Sequence, residues 1–189
     1  MSDPAEVILE ALRARRRTDR PLLLAIDGRC AAGKTTLAAR LAARCGAGVA
    51  HMDHFFLRPE QRDEARLSEP GGNVDRERFL TELLEPLLAG ESPRYRPFDC
   101  GRQDFGPEIT LGRRPLYIVE GAYACHPALR ERYDLRVFLS VEPAEQRRRI
   151  RLRNGEEGLR RFQERWIPLE EAYFSHFHVA EGCELRFTT

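Results

Sequence analysis

Lysine is almost absent from this 189-residue chain. Lys34 is the single lysine among 31 Lys and Arg residues, so every other basic position holds arginine. A guanidinium is a planar fork, whereas a lysine ammonium is a compact charge on a flexible stem. Position 34 is therefore a place where arginine would not serve. The scarcity also removes any Asn-Lys-x-Asp segment for guanine recognition, which argues against a GTPase switch.

Paired cysteines and long apolar runs are missing as well. The five cysteines are scattered, their number is odd and no Cys-x-x-Cys occurs, which argues against a disulfide framework and a zinc site. Free thiols are typical of a reducing compartment, so we expect a cytoplasmic protein. The longest purely apolar run, 22–26, is too short to span a bilayer. We expect no membrane partner and no secretory leader.

The charge has no dominant sign. The chain carries 31 basic and 30 acidic residues, for a net charge of +1. A sequence-independent nucleic-acid binder is usually more basic, so we expect no nucleic-acid partner. The length and the 42% hydrophobic content suit one domain over 1–189 with a single core. We expect a small-molecule substrate, and a homo-oligomer is compatible with this composition.

Apolar segments alternate between strand-like and helix-like patterns. Continuous apolar runs predict strands at 22–26, 48–52, 116–119, 135–139 and 185–187. Helical patterns occupy 33–44, 75–88, 143–153 and 159–177, with an N-terminal helix inside 1–20. The segments 58–72 and 90–114 are predicted to be loops. This alternation predicts an α/β fold in which a parallel sheet of about five strands is flanked by helices.

The segment 28–35 has the Walker A pattern Gly-x-x-x-x-Gly-Lys-Thr. It follows a predicted strand and opens a predicted helix, which the motif requires. Lys34 would reach the β- and γ-phosphates, and the Thr35 hydroxyl would ligate Mg²⁺. The pattern predicts a three-layer P-loop NTPase fold that binds ATP and Mg²⁺. The nucleotide-binding residues would be Gly28, Arg29, Cys30, Ala31, Ala32, Gly33, Lys34, Thr35 and Thr36.

Two acidic residues follow predicted strands. Asp53 closes the second strand and Glu120 ends the third. Ligands of open α/β sheets bind at the carboxyl edge, where both residues would lie. Asp53 could take the proton of an attacking hydroxyl, hold a Mg²⁺-bound water or shape an Asx turn. Glu120 could organise Mg²⁺ or simply end a strand. Together with Thr35, they form the predicted metal site.

Five arginines crowd the predicted helix before Asn154. They could clamp a transferring phosphoryl group as part of a lid-like region over 143–158. They could also be a solvated basic face balanced by Glu142 and Glu145. We expect one or two of the five to act on phosphate.

The ordered motifs of the chain resemble the uridine kinase and phosphoribulokinase-like family of P-loop kinases. The resemblance runs over about residues 21–187. It rests on 25–28 leading into the Walker A loop, then 52–56, 71–75, 95–100, 119–121 and 133–135, and finally the arginine-rich lid.

This resemblance implies an ATP- and Mg²⁺-dependent kinase that phosphorylates a hydroxyl of a nucleoside-like molecule, with uridine or cytidine as the leading acceptor. It implies catalytic roles for Lys34, Asp53, Arg149 and Arg153, with Asp53 as the base. It implies acceptor contacts from Asp53, Asp75, Tyr95 and Phe98. Asp75 would hold sugar hydroxyls, although its place at a helix start also suits a structural cap.

The chain departs from the family near the acceptor. Cys100 and Gln103 stand where uridine kinases carry a His-containing segment, and Asn154 follows Arg153 where those enzymes have Asp. These departures leave the phosphoryl-transfer core intact but open the acceptor to a ribosylated vitamin or a sugar phosphate. A regulatory nucleotide-binding module without turnover is a further alternative, against which Asp53 and Glu120 argue.

Overall fold

The structure is organised around one five-stranded sheet. The computed structural model describes residues 3–15 and 17–189, so Met1, Ser2 and Arg16 lie outside it. The described strands are β1 (Leu22–Gly28), β2 (Gly48–His51), β3 (Arg94–Tyr95), β4 (Phe98–Asp99), β5 (Asp104–Phe105), β6 (Ile109–Thr110), β7 (Leu116–Glu120), β8 (Leu135–Ser140) and β9 (Leu185–Thr188). The α-helices are α1 (Pro4–Arg13), α2 (Lys34–Cys45), α3 (Glu64–Ser68), α4 (Arg76–Phe79), α5 (Glu85–Leu88), α6 (Pro127–Arg130), α7 (Pro143–Arg161) and α8 (Ile167–Phe177).

The sheet is parallel throughout and has the order β2-β7-β1-β8-β9. This confirms the predicted α/β fold with five parallel strands. β1 lies at the centre, hydrogen-bonded to β7 on one side and β8 on the other. All five strands therefore end at the same edge, and the Walker A loop leaves the middle of that edge.

Both faces of the sheet are covered, which is why β1 is apolar without alternation. Leu24 and Ile26 point to one face and pack among the apolar residues of α1 and α2. Leu23 and Ala25 point to the other face, where the core includes Phe55 and residues of the helical run 76–88 and of α8. Successive strand residues face opposite sides, so a buried parallel strand needs apolar residues at every position.

The predicted N-terminal helix is shorter than the segment 1–20. It begins at Pro4, where the Asp3 carboxylate accepts a hydrogen bond from the backbone N–H of Ala5 at 3.2 Å, and it ends at Arg13. Positions 1, 2 and 16 of that prediction lie outside the described residues. None of the described helices combines the length and the apolar character needed to cross a bilayer.

Both segments predicted to be loops contain short regular elements. Within 58–72, a 3₁₀ turn (Pro59–Gln61) precedes α3, whose first turn is capped by Asp63 accepting from the N–H of Arg66 at 2.7 Å. Within 90–114, β3 pairs with β6 and β4 with β5, both antiparallel. Elements this short have no detectable periodicity, so the prediction of plain loops was wrong here.

The lid-like segment is one helical run with a break. Gly155 has φ 72° and ψ −178°, which interrupts α7 near its middle. A π-helical turn (Phe162–Trp166) then joins α7 to α8. π-Helical turns are rare and frequently occur at functional sites, and this one faces the cavity described below.

Candidate active site

The Walker A loop leaves β1 through a glycine that no other residue could replace. Gly28 has φ 135°, and a Cβ there would lie 2.0 Å from the backbone oxygen of Leu139 on β8. Gly33 has φ 88° and immediately precedes α2. Ala31 holds φ 59° without being glycine, an uncommon conformation that clusters at ligand-binding loops. The loop therefore meets the N-terminus of α2, where a phosphate is favoured.

The ammonium of Lys34 folds back over its own loop. Its Nζ donates hydrogen bonds to the backbone oxygens of Gly28 at 2.6 Å and of Arg29 at 2.9 Å. The flexible stem, the compact ammonium and the three donors of lysine suit this position better than a guanidinium would. The charge thus lies within the loop that is shaped to receive an anion.

Glu120 connects three elements at the carboxyl edge of the sheet. It ends β7 and is 5% exposed. The Thr35 hydroxyl at the start of α2 lies 3.2 and 3.1 Å from its Oε1 and Oε2, and the Nδ1 of His51 lies 2.5 Å from Oε1. The hydrogen bond to Glu120 raises the pKa of His51, against the opposing effect of desolvation.

The donors around Glu120 fit a magnesium ion. Hydroxyl and carboxylate oxygens are its preferred ligands, and Mg²⁺ usually takes one or two carboxylates together with phosphate oxygens and water. The described residues contain no group of three or more His, Cys, Asp and Glu that could hold a metal without such help. Thr35 and Glu120, with Asp53 near them, are the side chains here that would hold such an ion.

Asp53 follows β2 directly and lies in the 3₁₀ turn Met52–Phe55. Its side chain is exposed at the wall of the cavity. Protein atoms still crowd it enough that desolvation raises the pKa of its carboxyl above 3.8, and the charge of Glu120 adds to the rise while Lys34 and His51 oppose it. A carboxylate with a raised pKa is a better proton acceptor near neutral pH.

One large cavity of about 990 Å³ unites these groups. What we call its near end consists of the Walker A residues 30–36 with Asp53 and Glu120. Its far end is defined by the residues Phe56, Leu57, Arg62, Leu67, Asn73, Cys100 and Gln103. Phe162, Trp166 and Leu169, from the π-helical turn and α8, provide a further apolar wall. The volume is ample for two small molecules side by side.

The two arginines singled out by the family resemblance both line the cavity. Arg149 donates through Nη1 to the backbone oxygen of Ala31 at 3.1 Å and through Nε to Glu145 at 2.7 Å. The guanidinium of Arg153 lies 5.6 Å from the ring centre of Phe162. The remaining arginines of this group do not line it, and two of them pair with helix carboxylates, Arg148 with Glu145 and Arg151 with Glu156.

Three predicted acceptor residues are not among the cavity-lining residues. Asp75 is 3% exposed, and its carboxylate accepts from the N–H of Arg78 at 3.0 Å and from the amide of Gln61 at 2.8 Å. Tyr95 and Phe98 are buried in β3 and β4. The structure therefore gives Asp75 the capping position, and substrate contacts by these three residues stay a prediction.

Two of the predicted nucleotide-binding residues also stand behind the cavity. Gly28 contacts β8, and the guanidinium of Arg29 turns to the carboxylate of Glu171 at 2.6 and 2.9 Å and to the hydroxyl of Ser140 at 2.8 Å. Their contribution to nucleotide binding would be to shape the loop. The other seven, residues 30–36, line the cavity directly.

Sequence reasoning missed the fully buried Asp27. Its carboxylate accepts from the N–H groups of Gly28 at 2.6 Å, Tyr123 at 3.2 Å and Cys125 at 2.8 Å, and from the hydroxyl of Tyr173 at 2.9 Å. Burial nevertheless raises its pKa. It thus ties the Walker A loop to the segment after β7 and to α8. A charged residue inside an apolar strand was the available signal.

The chain is similar to kinases both in sequence and in structure. No protein-family model matches the chain. It is 29% identical over 132 residues to a uridine kinase of Chloroflexus aurantiacus, covering 65% of this chain and 62% of that protein. A uridine kinase of Chloroflexus aggregans matches at 30% identity over the same coverage. The structure of a possible uridine kinase from Bacillus stearothermophilus aligns over 97% of this chain and 96% of that chain, with TM-score 0.74 and 20% identity.

The chain is similar to uridine kinases over part of its sequence and shares the fold of a possible uridine kinase of known structure. The match to the curated uridine kinases spans less than two thirds of their length. The match to the solved structure, at 20% identity, supports the fold.

Proposed function

We propose that this protein is an ATP- and Mg²⁺-dependent kinase that transfers the γ-phosphoryl group to a hydroxyl of a small nucleoside-like molecule. The observation that carries the proposal is the near end of the cavity. There a Walker A loop with its lysine, a Thr35–Glu120 pair and an exposed carboxylate, Asp53, open onto one space. Phosphoryl transfer needs these parts and little covalent chemistry from the protein.

In the proposed reaction the acceptor oxygen attacks the γ-phosphorus, ADP leaves, and Asp53 receives the hydroxyl proton. Bound Mg²⁺ would neutralise phosphate charge. Lys34 would face the β- and γ-phosphates, and Thr35 and Glu120 would hold the metal. Arg149 and Arg153 would meet the phosphate charge from the lid. Catalysis would then rest mainly on positioning and charge stabilisation.

For the acceptor we propose uridine or cytidine. The relatives named uridine kinase support this choice, and the far end supports a molecule with an apolar face and polar edges. Leu57 and Leu67 offer apolar contact there, while Asn73 and Gln103 offer amides. Such a combination suits a flat heterocycle joined to a sugar.

A second candidate is a kinase of another small molecule, a ribosylated vitamin or a sugar phosphate. The observation that favours it is the burial of Tyr95, Phe98 and Asp75 away from the cavity, because these were the residues expected to hold a nucleoside. Arg62 lines the far end instead, with Nη1 donating to Gln103 at 3.0 Å. A guanidinium at that point also suits an acceptor with a negative group.

The deciding experiment is a panel of acceptors with ADP release as the readout. We expect ADP release with uridine or cytidine to exceed the release without acceptor by at least ~10²-fold, because a bound acceptor hydroxyl is positioned for attack and water is not. Activity with only the vitamin ribosides or sugar phosphates would select the second candidate. Absence of turnover with every acceptor, alongside ATP binding, would indicate a regulatory module.

The chain provides its own probe for binding. Trp166 is its single tryptophan and lines the cavity, so its fluorescence should respond to ligands at either end. Titrating ATP·Mg²⁺ and each acceptor separately would give two affinities without a label. The variant Asp53→Asn would serve as the control that binds but does not turn over.

A further inference from the structure

Cys30, in the middle of the Walker A loop, is held through its backbone by two helices. Its N–H donates to the Oε2 of Glu170 on α8 at 2.8 Å. Its backbone oxygen accepts from the side-chain amide of Gln146 on α7 at 3.1 Å, and the same amide lies 3.3 Å from its Sγ. The loop is thus fixed at this residue by α7, which contains the lid-like segment, and by α8, which follows it.

The two partners of Cys30 are buried polar side chains, whose loss of hydration must be offset by hydrogen bonds within the protein. Glu170 is 7% exposed and Gln146 is 5% exposed. Burial raises the pKa of Glu170, since desolvation exceeds the favourable effects of Lys34 and of the Cys30 N–H. Keeping a carboxylate here costs free energy unless its hydrogen bonds are made.

Buried polar groups of the described residues concentrate around the loop. Six such side chains are buried, and four of them, Asp27, Glu120, Gln146 and Glu170, hydrogen-bond to residues of the Walker A segment. A satisfied polar network in a low-dielectric interior makes one arrangement of its members more favourable than the alternatives. The loop must keep its N–H groups oriented for phosphate before the nucleotide arrives.

We propose that Glu170, assisted by Gln146, is a positioning residue that holds the Walker A loop in its phosphate-binding shape through the backbone of Cys30. The inference rests on the proposed nucleotide binding by this loop but not on the identity of the acceptor or on turnover. Glu170 acts on the loop, and the loop binds the phosphates. α8 follows α7 through the turn Phe162–Trp166, so the shape of the loop is coupled to the position of the lid-like segment in α7.

The variants Glu170→Ala, Glu170→Gln and Gln146→Leu test this role. Alanine removes the acceptor for the Cys30 N–H, whereas glutamine retains an oxygen of the same reach without the charge. Gln146→Leu removes the partner of the Cys30 oxygen and replaces it with an apolar side chain of similar size. Glu164→Ala is the matched control, because Glu164 is an exposed acidic residue of the same helical run and does not line the cavity.

Two readouts are measured without any acceptor. The first is alkylation of Cys30 by iodoacetamide in the nucleotide-free protein, followed by peptide mass spectrometry. The second is the Kd for ATP·Mg²⁺ by calorimetry. For Glu170→Ala we expect alkylation to become faster and the Kd to rise, each by ~10-fold, the scale of leaving a buried donor unpaired. Gln146→Leu should show the same changes by ~3-fold or more.

The conservative variant separates positioning from general damage to the fold. Glu170→Gln should keep the Kd for ATP·Mg²⁺ within ~3-fold of the natural protein, and Glu164→Ala should match the natural protein in both readouts. Alkylation does not decide this variant, because the charge of Glu170 itself raises the pKa of the Cys30 thiol. A Glu170→Ala protein that melts normally and keeps its ATP affinity would overturn the proposal, and so would a Glu170→Gln protein whose ATP affinity is as impaired as that of Glu170→Ala. If Glu170→Ala does not fold, unchanged ATP affinity in Gln146→Leu overturns it. A protein that binds ATP but phosphorylates nothing would contradict only the proposed function.

Discussion

The near and far ends of the cavity are built in different ways. The near end is made by residues that directly follow the central strands, such as Thr35 after β1 and its loop, and Glu120 at the end of β7. The far end is made by residues of 56–73 and 100–103. The first segment contains the single-turn helix α3, and the second lies between the two-residue strands β4 and β5. Position at the near end follows from the sheet, whereas position at the far end follows from side-chain contacts between loops.

The hydrogen bonds at the two ends show the same difference. At the near end, Asp27 alone ties together β1, the segment after β7 and α8. At the far end, Arg62 joins two loops by donating to the backbone oxygen of Leu57 and to the side chain of Gln103. Gln103 itself is exposed and has φ 53°. The near end is held by the sheet and the far end by loops, and loops are more mobile and more variable than the elements they connect.

The largest effect is expected from Lys34→Ala at the near end. Removing the loop's only side-chain ammonium should lower kcat/KM for ATP by ~10³-fold, because one preorganised charge contact is lost. Of this, ~10²-fold should be a fall in kcat and the remainder a rise in the KM for ATP. Lys34→Arg should also be poor, since the loop encloses a compact ammonium. Steady-state kinetics with varied ATP would measure both.

The exposed helix residue Arg160 provides the control for lost charge alone. Arg160→Ala removes one positive charge from α7 without touching the cavity and should keep natural activity. Natural rates in Lys34→Arg would contradict the view that the near end demands lysine.

Asp53→Asn should have the next largest effect. The amide keeps the size of the side chain but cannot take the hydroxyl proton, so kcat should fall by ~10²–10³-fold. ATP·Mg²⁺ affinity by calorimetry should stay within a few-fold, and the melting temperature should be unchanged. Near-normal kcat would refute the role as base. A collapse of Mg²⁺-dependent ATP affinity would instead make Asp53 chiefly a metal organiser.

Asp75 tests whether the far end extends beyond the cavity seen here. Because Asp75 caps α4 and accepts from Gln61, Asp75→Ala should lower the free energy of unfolding by about 1–2 kcal/mol. Asp75→Asn caps a helix equally well and should recover most of that loss. A role in holding sugar hydroxyls would show differently: both variants would raise the acceptor KM by more than the ATP KM, whatever their stability.

His126 is buried beside Gly71 and Tyr173. A Cβ on Gly71 would come within 3.1 Å of His126 and 3.0 Å of Tyr173, so the turn that contains Gly71 packs on the segment after β7 and on α8. Burial, with the charges of Arg76 and Arg66, lowers the pKa of His126 to about 4. Its Nδ1 accepts the helix-capping hydrogen bond that opens α6.

The pH dependence follows from that lowered pKa. Between about pH 6.5 and pH 4 the unfolded chain binds a proton at this histidine that the folded chain does not, so stability is lost as the pH falls through this window. His126→Asn keeps a side chain that can cap the helix but does not titrate. The free energy of unfolding of this variant should therefore fall by roughly 1 kcal/mol less over the same pH range, a value reduced for partial solvent screening. Urea unfolding at pH 7 and pH 5 measures it. The exposed His176→Asn is the control, and equal pH slopes in both variants would contradict the assignment.

Near-end features could be predicted from local sequence because the constraints there are local. The apolar run 22–26 followed by the Walker A pattern places a strand, a loop and a helix in order, and the structure has them as β1, the loop and α2. Asp53 and Glu120 were identified from their positions after strands, and parallel strands necessarily end at one edge. Their presence at the cavity wall follows from the sheet order.

Far-end features could not be predicted in the same way. Two-residue strands carry no periodicity, and the pairing of β3 with β6 joins segments separated by a hairpin whose register the local pattern does not set. The burial of Tyr95 and Phe98 depends on neighbours such as Phe55 and Phe105. Side-chain direction in such segments is decided by packing, so the family resemblance could suggest acceptor contacts for Tyr95 and Phe98 but not their burial, and those contacts stay a prediction.

The sequence by itself determined the α/β alternation, the phosphate loop and the two carboxylates at the sheet edge, because each depends on residues close together in the chain. Only the tertiary structure decided that Glu170, 140 positions after Cys30, holds the loop, and that Trp166 and Arg62 face the cavity. The physical reason is that a buried hydrogen bond between distant segments leaves no periodic trace. Its partners are set by how α7 and α8 pack against the sheet, and packing is a property of the whole chain.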